Sequence, residues 1–124
     1  MENKTIVILG GGIGGLVAAN ELRRRLPQRH KVILVEKNPE HAFAPSFLWL
    51  MSGTRKPKQV IAPLRKLVRP GVEVIHREVV AMEILNQRIV TEKQTLGYDY
   101  LIVALGAELA PELIPGLAGS AYSF

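Results

Sequence analysis

The alternation of apolar and polar positions changes rhythm several times along the chain, and each change marks an element. Residues 4–9 end in the unbroken apolar run Ile6-Val7-Ile8-Leu9, as suits a parallel strand buried on both faces. Glycines crowd the next six positions, and from Ile13 to Leu26 the period becomes helical, with Leu16, Ala19, Leu22 and Leu26 on one side. Arg23, Arg24 and Arg25 fall near the helix C-terminus, where positive charge suits the dipole, and Pro27 stops the helix. Residues 31–35 are a second apolar strand that ends at Glu36, and the three elements predict a right-handed βαβ unit.

The pattern then becomes irregular over residues 41–53, which carry Phe43, Phe47 and Trp49. Core packing, a lid against a flat cofactor and an interaction surface all suit this run. His41 reads as a satisfied loop histidine, with nothing nearby to complete a metal or proton-relay set. Val60, Ile61, Leu64, Leu67 and Val68 predict a second amphipathic helix over 60–68, closed by Pro70-Gly71. Residues 72–75 read as a third strand. Short alternating runs at 78–84 and 87–91, with a turn near Leu96-Gly97, predict a small antiparallel β-meander. A last buried strand over 98–106 ends in Gly106, and Pro111, Pro115 and Gly116 mark a loop. The expected fold class is α/β, a Rossmann-like parallel sheet with an antiparallel meander, in a domain over residues 1–107 followed by a linker or tail over 108–124.

Candidate chemistry centres on the glycine run. Gly10, Gly12 and Gly15 have G-x-G-x-x-G spacing between a strand and a helix, and Glu36 follows Gly15 at the end of the next strand. Gly10 suits a tight turn, Gly12 lets a pyrophosphate approach the backbone, and Gly15 allows the helix to pack closely on the strand. The helix N-terminus offers free N–H groups to an anion, and Glu36 can accept hydrogen bonds from ribose hydroxyls. On these grounds FAD and NAD fit equally well.

Composition narrows the classes. The 124 residues include no cysteine, which excludes a disulfide scaffold, thiolate metal ligation and cysteine redox chemistry within the chain. No run approaches the ~18 apolar residues of a membrane span, and no signal peptide is evident, so a cytoplasmic protein is expected. The formal net charge is +5, with the basic excess in the first 70 residues. That excess reads either as solvated helix faces or as a surface for anionic lipid. Nucleic acid is disfavoured, since no aromatic residues interleave with the basic run.

Several stretches together resemble one family. They are Ile8-Leu9-Gly10-Gly11-Gly12-Ile13-Gly14-Gly15-Leu16, Phe43-Ala44-Pro45-Ser46 with Trp49 and Gly53, Pro63-Leu64, Gly71-Val72, Tyr98-Asp99-Tyr100-Leu101-Ile102-Val103-Ala104-Leu105-Gly106, and Ile114-Pro115-Gly116-Leu117. The chain resembles the N-terminal FAD-binding part of the pyridine nucleotide–disulfide oxidoreductase superfamily. Within it, the chain is most similar to sulfide:quinone oxidoreductases, with type II NADH dehydrogenases second.

The resemblance implies FAD as cofactor. Gly10, Gly12, Ile13, Gly14 and Gly15 would hold the pyrophosphate through backbone, and Glu36 the adenosine ribose, with Lys37 bordering the adenine. Ala44 and Pro45 would lie near the flavin, Val79 would meet adenine through its main chain, and Ala104 and Gly106 would close over the cofactor. The implied partners are FAD, a quinone, a membrane surface met peripherally, and a second copy of the chain. Leu105 stands where the family often has threonine, so any role of that hydroxyl is lost. Family enzymes are several times longer and carry redox cysteines further on, so this chain is expected to be a fragment with no catalytic or metal-binding residues of its own. A stand-alone NAD-binding module and a non-catalytic domain at a membrane surface are the competing functions.

Overall fold

The computed structural model describes residues 2–122. The elements run β1 (Thr5–Leu9), α1 (Ile13–Arg25), β2 (Lys31–Val35), β3 (Glu40–Ala42), α2 (Phe47–Met51), β4 (Ile61–Pro63), β5 (Val72–Ile75), β6 (Val79–Glu83), β7 (Arg88–Thr91), β8 (Thr95–Gly97), β9 (Tyr100–Val103) and α3 (Leu117–Ser120). Strands β5-β2-β1-β9 form a parallel sheet in that order, β6-β7-β8 an antiparallel meander, and β3 pairs with β4. The expected α/β class is observed.

Because side chains alternate along each strand, the sheet is buried from both sides. Ile6, Ile8, Val32, Leu34 and Val74 face α1, packing with Ala19, Leu16 and Leu22 and with Leu64. Val7, Leu9, Ile33 and Val35 face the meander, where Ile89 of β7 is fully buried and Leu96 and Tyr98 pack around it. Each such fully buried side chain contributes about 1.5–3 kcal/mol. The segment forming α1 contains two glycines and an asparagine, poor helix formers, so it is packing on the sheet that keeps it helical.

Polar groups fasten the N-terminal ends of the strands. The Asp99 carboxylate accepts from Thr5 N–H at 2.7 Å and from Lys4 Nζ at 3.3 Å, while Lys4 N–H donates to His30 Nδ1 at 3.1 Å. The Thr5 hydrogen bond, reinforced by Lys4, holds the Asp99 carboxyl below its ordinary pKa. Arg23 is only 4% exposed, and its guanidinium donates to the carbonyls of His30, Leu26 and Pro27 at 2.7–2.9 Å. It therefore ties the end of α1 to the start of β2. Of the basic triplet only Arg24 and Arg25 are solvated, and both pair with Glu21, whose carboxyl they lower to about 2.

Two expected elements differ. Residues 60–68 are not a helix: β4 is followed by a 3-10 turn over Leu64–Lys66. Pro63 has no N–H to give a helix interior and pushes Ala62 towards extended backbone, which outweighs the apolar spacing. The stretch 41–53 holds β3, a 3-10 turn at Ala44–Ser46 and α2. Core packing is not its role, since Trp49 is 44% and Met51 66% exposed, and Arg55 lies 4.3 Å above the Trp49 ring. The expected linker contains a 3-10 turn at Pro111–Leu113 and α3, and its last two residues lie outside the described range. Among the described residues no helix is long and apolar enough to cross a membrane.

Candidate functional site

The carboxyl ends of β1, β2, β5 and β9 meet at one edge of the sheet. Strand β1 is the switch point, with β2 on one side and β9 on the other. Open α/β sheets bind ligands in the crevice at such a point, and here the glycine loop fills it. Gly10 N–H donates to Val35 O at 2.9 Å, Glu36 N–H to Ile75 O at 3.0 Å and Ala104 N–H to Leu9 O at 2.8 Å, which locks the three loops to the strand ends.

The glycines divide by task. Gly10 has φ +100°, and a Cβ there would lie 2.1 Å from Ala104 O. A Cβ on Gly15 would lie 1.7 Å from Gly10 O. Both positions are closed by the fold itself. Gly12 has nothing within 4 Å of a Cβ position, and Gly14 meets only Ala104 Cβ at 3.8 Å. Gly12, Ile13 and Gly14 are exposed, no side chain caps the α1 N-terminus, and its first turn carries no acid. The free N–H groups and positive dipole end therefore face open space, as an anion requires.

Glu36 stands beside this turn. Its Oε2 accepts from Gly11 N–H at 2.6 Å and its Oε1 from Asn38 N–H at 3.0 Å. Clefts lie on either side of it. One of roughly 340 Å³ is lined by Gly10, Glu36, Lys37, Val79 and Leu105, with Arg77 and the outer strand of the meander. The other, of roughly 420 Å³, is bounded by Gly11, Gly12, Glu36, Asn38, Glu40 and His41. Each falls in the size range of small-molecule sites.

The structure thus brings Gly10, Gly12, Glu36, Lys37 and Val79 together around the two clefts. Ile13, Gly14 and Gly15 form the first turn of α1, and Ala104 packs against Gly10. Ala44, Pro45 and Gly106 are exposed and line neither cleft. Two participants were given no role in the site from sequence. Arg77, donating to His76 O at 2.7 Å, borders the cleft from the end of β5, where the basic residue after a strand was the available signal. His41 is satisfied as expected, but by the glycine loop: its Nδ1 lies 2.8 Å from Gly11 O. No group of His, Cys, Asp and Glu suited to a metal occurs among the described residues.

Comparison with known proteins gives a consistent picture. The sequence profile of a family described as pyridine nucleotide-disulphide oxidoreductase matches residues 4–123. The sulfide-quinone reductase of Aquifex aeolicus (strain VF5) is 31% identical over 118 residues, covering 94% of this chain and 26% of that protein. The type II NADH:quinone oxidoreductase of Staphylococcus haemolyticus is 27% identical, covering 98% of this chain and 31% of that protein. Among solved structures, the Aquifex aeolicus sulfide:quinone oxidoreductase superposes with a TM-score of 0.77 at 30% identity, over 86% of this chain and 25% of its own. NDH2 from Plasmodium falciparum in complex with NADH gives 0.77 at 25% identity, over 98% of this chain and 26% of its own. The chain spans about a quarter of the length of the first of these relatives.

Proposed function

The chain belongs to the pyridine nucleotide-disulphide oxidoreductase family, and from that premise we propose that it is the FAD-binding portion of a flavin-dependent, sulfide:quinone oxidoreductase-like enzyme. The observation that carries this reading is the uncapped N-terminus of α1 at the switch point, with exposed, Cβ-free backbone at Gly12 and Gly14 and the Glu36 carboxylate beside it. The residues fit the cofactor. Gly12, Ile13 and Gly14 would donate backbone N–H groups to the pyrophosphate, and Glu36, keeping its bond from Gly11 N–H, would accept from the adenosine ribose hydroxyls through its remaining lone pairs. Val79, Lys37 and Arg77 would wall the adenine side. Ala104 and Gly106 would close the loop at the end of β9, and Ala44 and Pro45 would follow the cofactor towards its flavin.

Bound FAD would supply the two-electron carrier, and the chain's own groups bind and orient it. In the whole protein, electrons would leave to a quinone-type acceptor at a membrane surface, and a homo-oligomer belongs to the same proposal. No catalytic residue is assigned to this chain.

Titration with FAD, followed by flavin fluorescence, tests the reading. Glu36→Ala should weaken FAD by about 10- to 100-fold, the value of charged hydrogen bonds, while Glu92→Ala, in the exposed turn between β7 and β8, leaves it within about 2-fold. Equal affinities in the two variants, or no flavin binding by the wild-type chain, would refute it. The FAD domain of a type II NADH dehydrogenase-like enzyme is a variant of the same assignment; the second reading is a stand-alone NAD-binding module without catalysis. It is favoured by Glu36, which suits a free 2′-hydroxyl in either cofactor. The meander wall at Val79 and the Ala104-Leu105-Gly106 turn favour FAD. Competition between the two cofactors decides, and displacement of FAD by equimolar NAD would reverse the assignment.

A further inference from the structure

We propose that His41 is a positioning residue for the dinucleotide, one that aims the Gly12 N–H at the pyrophosphate by holding the Gly11 carbonyl. The inference rests on the dinucleotide reading above and adds to it a residue thirty positions from the glycine loop, as the separation of the bonded pair shows.

Two adjoining peptide groups set the shape of the loop. The peptide between Gly10 and Gly11 is held through its N–H, which donates to Glu36 Oε2 at 2.6 Å. The peptide between Gly11 and Gly12 is held through its carbonyl, 2.8 Å from His41 Nδ1. A carbonyl oxygen only accepts, so Nδ1 carries the proton in this contact. The peptide is planar and trans, which makes its C=O and N–H point in opposite directions. Fixing the Gly11 carbonyl on the His41 side therefore turns the Gly12 N–H to the other side. That N–H has no acceptor among the described residues, and Gly12 is exposed with open space around its Cβ position.

The contact matters because no other hydrogen bond restrains this peptide among the described residues. Glycine tolerates both orientations of the neighbouring peptide planes, and a run of three glycines has no side chain of its own to choose between them. Glu36 holds the preceding peptide, and Gly12 O is already taken by Leu16 N–H at 2.9 Å, the first bond of α1. The Gly11 carbonyl is the one remaining handle. His41 reaches it from β3, whose pairing with β4 sets His41 opposite Ala62. The small sheet outside the main fold thus acts as a bracket for the anion-binding turn. The imidazole Nε2 has no hydrogen-bond partner among the described residues, so the bond to Gly11 is the ring's one hydrogen bond there, although His41 also borders the cleft beside Glu36.

The contact predicts a ligand-dependent effect. Adenosine would use Glu36 and the cleft beside it, but not the Gly12 N–H; ADP and FAD would use both. Titrations of wild type, His41→Phe and His41→Asn with FAD, ADP and adenosine separate the cases. Phenylalanine keeps the ring's bulk and removes the donor, while the asparagine Nδ2 can reach the same carbonyl. His41→Phe should bind FAD and ADP about 3- to 10-fold more weakly, as the loss of one neutral hydrogen bond implies, and adenosine within about 2-fold of wild type. His41→Asn should restore FAD and ADP to within about 2-fold.

Unchanged FAD and ADP affinity in His41→Phe would overturn the proposal. So would equal losses for adenosine and ADP, which would mark a general structural role, or a folded His41→Asn that binds as poorly as His41→Phe. Nitrogen-15 NMR of the wild-type imidazole gives a reading that depends on no variant: Nδ1 should be protonated, and a neutral Nε2–H tautomer would overturn the proposal. Should the wild-type chain bind neither FAD nor ADP, the dinucleotide reading itself would fall.

Discussion

Replacing Gly15 and Gly12 separately by alanine sets two physical effects against each other. In a helix interior, glycine to alanine is expected to stabilise by about 1 kcal/mol through backbone entropy. At Gly15 the new Cβ would lie 1.7 Å from Gly10 O and 2.9 Å from Gly10 C, backbone atoms of a residue whose own N–H is bonded to Val35 O. Overpacking of this kind costs about 1–3 kcal/mol when side chains can yield, and more when backbone must, so the clash wins and Gly15→Ala loses at least ~3 kcal/mol net. For a chain of this size, with an unfolding entropy of about 2.1 cal/mol/K per residue, that lowers Tm by ~12 °C or more. Gly12→Ala meets no atom within 4 Å, and Gly12 has φ −71°, accessible to any residue. It exchanges glycine for a poorer N-cap, at less than about 1 kcal/mol and a Tm change within ~4 °C. Its Cβ nevertheless occupies the space a pyrophosphate would need, so FAD affinity should fall at least ~10-fold. Differential scanning calorimetry and flavin titration on both variants read the two axes. A Gly15→Ala protein as stable as Gly12→Ala, or a Gly12→Ala protein that binds FAD like wild type, would refute the division of the glycines into folding and ligand positions.

Two further outcomes follow from the opposite end of the sheet. Arg23→Met removes the donor shared by the carbonyls of His30, Leu26 and Pro27 and should cost about 2–4 kcal/mol in urea unfolding, with no change in cofactor selectivity. The carboxyl of Asp99 has a folded pKa below the unfolded value, so its contribution is complete above the unfolded pKa near 4 and is lost as pH falls through the lower folded one; Asp99→Asn should flatten the stability profile below about pH 4, and an unaltered profile would count against the Thr5 contact as its cause.

Strand β1, helix α1, strand β2 and the meander are legible in the chain because each obeys a single period over enough residues to show it. The 60–68 segment misleads because its apolar spacing is helical while Pro63 forbids the helix; the proline was visible, and its weight against the spacing was the error. The Phe43–Trp49 run carries no period at all, and only its exposure shows that core packing is not its role. Within the site, Gly10, Gly12, Glu36, Lys37 and Val79 were accessible to motif and resemblance. The bond from His41 to Gly11 was not, because no local pattern records that β3 folds back over the glycine loop. Arg23 looked like one of three dipole-compensating arginines, and its burial depends on Gly71 and the 26–30 turn closing around it.

The pairing of β1 with β9 also governs when the site comes into being. Ile6 lies opposite Tyr100 and Leu9 opposite Val103, so the strand that completes the crevice is synthesised well after β1, α1 and β2. A nascent chain that has made β1, α1 and β2 can form the first βαβ unit, but Gly10 then lacks the Ala104 carbonyl against which it packs. Until β9 arrives, β1 presents an unpaired edge with open hydrogen-bonding groups, a template for pairing with a neighbouring chain. Cofactor capture therefore waits on the pairing of β9 with β1, and substitutions in β9 should show first as aggregation during synthesis rather than as weakened binding in the folded protein.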